Sequence, residues 1–154
     1  MPRVIRSVAL ALIVGLGGFA ARAGDDKDEK KTVDIQVLAI RATTKNKDIS
    51  PELKGIADVL KKQFKFTGFK LEKKETGSKT PIGKAYNLAL PGGYQINVTP
   101  KSSDGKKVEL QVEVLKGKER KLNATYTLEA GKFQLQGGWD LDGGDALIVA
   151  VSGR

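Results

Sequence analysis

Residues 108–128 read VELQVEVLKGKERKLNATYTL. Val108, Leu110, Val112 and Val114 alternate with Glu109, Gln111, Glu113 and Leu115. Lys116-Gly-Lys-Glu interrupts the pattern. Leu122, Ala124, Tyr126 and Leu128 then alternate with Asn123, Thr125 and Thr127. An apolar residue at every second position turns one strand face to a core and the other to water. Two such runs joined by a short Gly-containing loop make an antiparallel hairpin.

The same period extends on both sides. Tyr94, Ile96 and Val98 precede a Ser102-Ser-Asp-Gly turn. Ile82, Tyr86, Leu88 and Leu90 share one side before Pro91-Gly-Gly. Phe69–Lys74 reads as a strand that the turn-rich Thr76–Pro81 stretch ends. Downstream, Ala130-Gly-Lys turns into Phe133-Gln-Leu-Gln. Ala146–Val151 is continuously apolar, as in a central strand covered on both faces. Val33–Ile40 alternates and then becomes continuously apolar. One segment breaks the rule. Ser50-Pro51-Glu52 is a helix start, and Leu53, Ile56, Leu60 and Phe64 follow at helical spacing. The expected fold is α+β and β-rich: about eight mostly antiparallel strands, sandwich-like, with one amphipathic helix of about four turns near residues 51–65, across one face or end.

The first twenty-three residues predict an address. Arg3 and Arg6 precede an apolar run, Val8 to Phe19, and Ala21-Arg22-Ala23 is a small-x-small site. This is the layout of a secretory signal peptide cleaved near Ala23. An uncleaved anchor is the alternative; the run falls short of the about 20 residues that span a bilayer. Residues 24–31 then form a charged spacer, expected to be disordered, and 32–154 a single domain. The leader holds three of the 27 basic residues and no acid, so its removal lowers the formal charge from +9 to +6. The protein is expected to be secreted or periplasmic, without a membrane span after cleavage.

The chain has neither histidine nor cysteine. That excludes disulfides, a lipidated cysteine, Ser-His-Asp and Cys-His catalysis, and the usual zinc sites. Carboxylate and lysine chemistry remains. Asp140, Asp142 and Asp145 flank Gly143-Gly144 and could converge on a hard cation such as calcium; a plain turn wants the same residues. The glutamate a calcium loop needs at its twelfth position is replaced by Val151. No other cofactor is expected. Lys116, Lys118, Arg120 and Lys121 cluster on one hairpin, and Lys101, Lys106 and Lys107 on the turn before it. Hairpin tips at the same end would give a positive rim for polyanions such as anionic glycans or lipid headgroups; solubility and edge protection are the competing uses. Aromatics are not interleaved with these bases, so nucleic acid is not an expected partner. Asn97-Val-Thr and Asn123-Ala-Thr match glycosylation acceptors but fall inside predicted strands. Trp139 beside Gly137-Gly138 reads as a core or lid residue, and Glu109 with Glu113 as a solvated strand face.

The order of LAIRAT (38–43), PELKGIADVLKKQFKF (51–66) and LPGGYQINVTP (90–100) after a signal peptide resembles a family of small, uncharacterised secreted bacterial β-rich domains. The tail TYTLEAGKFQLQGGWDLDGGDALIVAV (125–151) is similar to the final segment of secretin channel domains. The resemblance implies a secreted envelope accessory domain and no catalytic residues. The expected function is non-enzymatic binding of another envelope protein or assembly component, through a sheet face or an exposed edge strand. A polyanion-binding module using the basic hairpin ends is the alternative, and a carboxylate-based enzyme a third.

Overall fold

The computed structural model describes residues 31–154. The leader expected over 1–23 and the spacer up to residue 30 lie outside the described residues. Eight strands form two antiparallel four-stranded sheets. The strands are β1 Thr32–Thr43, β2 Gly68–Pro81, β3 Tyr86–Ala89, β4 Tyr94–Ser103, β5 Lys107–Lys116, β6 Glu119–Glu129, β7 Gln134–Asp140 and β8 Ala146–Gly153. The first sheet runs β2-β1-β8-β7. The second is a plain meander, β3-β4-β5-β6. No helix among the described residues is long and apolar enough to cross a membrane.

The alternation of residues 108–128 places Val108, Leu110, Val112 and Val114 between the sheets, fully buried. They meet Ile35, Val37 and Ala39 of β1 and Leu147, Val149 and Val151 of β8. The other face of the first sheet carries a second core, with Ile40, Phe69, Ile148 and Ala150 against Leu53 and Leu60 of the helical segment. The structure therefore has three layers: helix, sheet, sheet. β8 is buried along its whole length because both of its faces are covered, which explains its unbroken apolar run.

Three local readings change. The helix is not one four-turn cylinder: a 3-10 turn, Pro51–Ile56, leads into α1, Ala57–Gln63. Gly55 lowers helix propensity within the segment, and Ile56 departs from helical dihedrals at φ −122°, ψ 8°. Ser50 does not cap the helix. Its Oγ accepts a hydrogen bond from the Leu71 amide at 2.9 Å and so ties the connection to β2. Finally, Thr76–Pro81 does not end a strand; β2 continues through it, paired with β1. The turn-forming residues are absorbed in a bulge. Lys79 takes φ 52° and donates its amide to Asp34 Oδ1 at 2.8 Å. The Tyr86 ring lies so close over Gly77 that an added Cβ would meet it at 2.7 Å.

Candidate functional site

The meander decides where the predicted basic residues go. Successive turns of an antiparallel meander lie at alternate ends. Lys116, Lys118, Arg120 and Lys121 sit at the β5–β6 turn, beside Tyr94; Lys101, Lys106 and Lys107 sit at the β4–β5 turn, beside the end of β6. About 30 Å of β5 separates them. The single rim expected from adjacent hairpins is thus divided between the two ends of the sandwich.

At the β5–β6 turn two of the four cations are paired within the chain. Arg120 pairs with Glu113 at 2.9 Å, and Lys121 with Glu119 at 2.8 Å. The Lys116 ammonium lies 5.0 Å from the centre of the Tyr94 ring, whose hydroxyl donates to the Asp140 carbonyl at 2.8 Å. Trp139 packs against the core between the sheets, its ring 6.1 Å from Tyr94, so the core reading of this residue holds.

At the same end, two of the three aspartates meet on a cation that belongs to the chain. Asp142 Oδ1 and Asp145 Oδ2 each lie 3.1 Å from Arg41 Nη1, and Glu72 takes Arg41 Nε at 2.8 Å. Lys45 adds a 3.8 Å contact to Asp145. Asp140 makes no ion pair with Arg41; its backbone carbonyl accepts the Tyr94 hydroxyl instead. Among the described residues no group of three Asp, Glu, His or Cys side chains is arranged to hold a metal ion. Hydrogen bonds from the Thr43 hydroxyl and then from Arg41 hold the Asp145 carboxyl below its ordinary range, although partial desolvation opposes them. Hydrogen bonds to Glu72 first, and then to Asp145, push the guanidinium further above its ordinary value. A cleft of about 310 Å³ on one side of Arg41 is lined by Lys45, Asn46, Ser50 and Lys70. Sequence reading passed over this centre, whose signal was an arginine, Arg41, inside the apolar run of β1.

The sheet edges differ in protection. β2 carries Lys70, Lys73, Lys74 and Lys79 and a bulge. β3 has four residues, and β7 is broken by Gly137-Gly138 with a register shift. β6 confines its own charges and register shift to its first three residues and its last, and has none of these devices between Leu122 and Leu128. That stretch is free of charge, Pro and Gly, and Asn123, Thr125 and Thr127 on its outer face are exposed. The second sheet's outer face is a hydrogen-bonded polar surface: Asn97 Nδ2 donates to Glu113 at 3.1 Å, and Gln111 Nε2 to Asn123 at 3.2 Å. Glu109 and Glu113 are half-buried on this face and lie in its strand ladder. Gln136, 8 % exposed, has neither amide atom hydrogen-bonded among the described residues.

No protein-family model, curated protein or solved structure matches the chain. Its class is defined by the geometry: a β-rich α+β domain of two four-stranded antiparallel sheets, one of them covered by a short helix.

Proposed function

We propose that this chain is an exported, non-enzymatic binding domain that takes an extended segment of another envelope protein onto the free edge of β6. The observation that carries the reading is the uncharged stretch Leu122–Leu128 at a sheet edge, in a molecule whose other edges carry lysines, bulges, glycines or a very short strand. An edge strand presents unpaired N–H and C=O groups, and a partner strand gains affinity from that ladder and specificity from alternate side chains. The carboxylates around Arg41 support the non-enzymatic reading. They are engaged by a permanent cation, and Asp145 is held ionised, the opposite of a general acid that must keep its proton near neutral pH. The export reading rests on residues 1–23.

The test is a photo-crosslinking residue at Thr127 on β6, compared with one at Thr76 on β2, in the native envelope. The expected outcome is one adduct of constant mass from Thr127 and none from Thr76. Thr125→Lys, which places a charge in the ladder of an exposed position, should weaken capture by about tenfold or more. Equal adducts from both edges, or capture that survives Thr125→Lys, would overturn the proposal.

A further inference from the structure

The end of the sandwich opposite Arg41 gathers cations that the sequence scatters. Lys101, Lys106 and Lys107 come from the end of β4 and its turn into β5. The first sheet adds one cation from each of its strands: Lys31 before β1, Lys79 in β2, Lys132 before β7 and Arg154 after β8. Lys84, in the turn before β3, completes the set. The backbone holds these segments together. The Asp34 amide donates to the Arg154 carbonyl at 2.8 Å, Ala130 to Lys106 at 2.8 Å, Ile82 to Lys31 at 3.0 Å, and Gly83 to Pro100 at 2.8 Å.

All eight cations are exposed, and among the described residues none of them forms an ion pair. Four side-chain carboxylates share this end, Asp34, Asp104, Glu109 and Glu129. Two of them are committed to backbone amides: Asp34 to Lys79 at 2.8 Å, and Asp104 to Lys106 and Lys107 at 2.8 and 2.7 Å. Among the described residues the two ends of the sandwich are therefore electrically unlike. One is cross-linked by ion pairs, and the other carries a net positive charge, eight cations against four carboxylates.

We infer that this cationic end docks on an anionic lipid surface. The spread of the charges selects a surface over a linear polymer. Cations come from seven of the eight strands or their flanking turns, across two sheets about 10 Å apart, and cover the whole cross-section instead of lining a track. The cleft at this end, about 280 Å³, is lined by Arg154 and Asp34 with neutral residues, so it is no anion pocket. Seven of the eight cations are lysines, compact point charges suited to diffuse attraction and not to bidentate recognition of one group. Attraction to an anionic lipid surface grows with each Lys or Arg held near it. The inference is independent of the β6 edge.

The test is cosedimentation of the full chain with vesicles of phosphatidylcholine alone or with added phosphatidylglycerol. Neutral vesicles measure whatever the apolar leader contributes. Asp25-Asp-Lys-Asp-Glu, ahead of Lys31, is the same in every variant. Each basic residue near such a surface is worth roughly fivefold in affinity. The combined variant Lys84→Glu, Lys106→Glu, Lys132→Glu should thus lose binding by about a hundredfold or more, and moderate salt should abolish binding of the parent chain. Lys54→Glu, Lys61→Glu, Lys65→Glu changes the net charge equally on the helical layer, and should lose less than about fivefold. Circular dichroism establishes that both variants fold. Three results overturn the inference: no preference for phosphatidylglycerol, equal losses in the two variants, or binding to soluble dextran sulfate that vesicles fail to displace.

Discussion

Arg41 interrupts the apolar run of β1, and a guanidinium there needs acceptors. It finds Glu72 on the neighbouring strand and Asp142 and Asp145 on the turn before β8. The Asp-Gly-Gly-Asp segment is in consequence a clasp for a resident cation, which accounts for a calcium-like spacing without a third converging carboxylate. The clasp has a consequence for pH. Asp145 is held below its ordinary value of 3.8 in the folded chain, by the Thr43 hydroxyl first and then by Arg41. A group whose folded value is depressed contributes stability above its unfolded value, and that contribution is lost as pH falls through the folded value. Melting temperatures of the parent and of Asp145→Asn should therefore differ at neutral pH, with the parent higher, and the gap should narrow as the pH is lowered past the ordinary carboxyl value. A constant gap across that range would show that the carboxylate's charge does not carry the contribution.

At the scale of elements, the strands were legible wherever period and turn chemistry agreed, as in β4, β5 and β6. They were misread where turn residues serve another purpose. The turn-rich Thr76–Pro81 stretch predicts a break, but a bulge with Lys79 in the left-handed region keeps β2 paired with β1, and Gly77 leaves the room in which Tyr86 crosses closely above. The helical stripe Leu53, Ile56, Leu60 and Phe64 was legible because burial on the sheet fixes it. The division into a 3-10 turn and a two-turn helix was not, because helical spacing constrains side-chain direction more than the hydrogen-bond pattern that Gly55 weakens. Gly55 has no heavy atom within 4 Å of where a Cβ would stand, and its φ is not positive. Gly55→Ala should then stabilise the protein by about 0.5–1 kcal/mol through the unfolded state and helix propensity. Thermal or urea unfolding checks this, and an unchanged or lowered midpoint would mean that the break in the helix is required.

On the scale of the whole molecule, the arrangement of charge follows from topology and is invisible in local sequence. Lys106 and Lys118 are twelve positions apart yet lie at opposite ends, whereas Lys31 and Arg154 lie at the same end because Asp34 and Arg154 exchange backbone hydrogen bonds. A linear reading groups charges by proximity along the chain; an antiparallel sheet regroups them by strand parity. The same topology predicts how the protein unfolds. β1 and β8 are common to both cores: Ile40 and Ile148 face the helical segment, while Val37 and Val149 face the second sheet. Neither core keeps its floor if the other loses the shared sheet, so helix and sandwich should melt together. Trp139, the only tryptophan, packs against the core between the sheets and reports that layer by fluorescence, while far-ultraviolet circular dichroism reports backbone structure throughout. Leu60→Ala in the helical layer and Leu110→Ala between the sheets should each cost about 2–5 kcal/mol. Each should lower a single transition seen coincidentally by both probes, with calorimetric and van't Hoff enthalpies equal. If Leu60→Ala instead splits the melt into an early circular dichroism phase that leaves Trp139 fluorescence unmoved, the two layers are separate cooperative units and the shared sheet does not couple them.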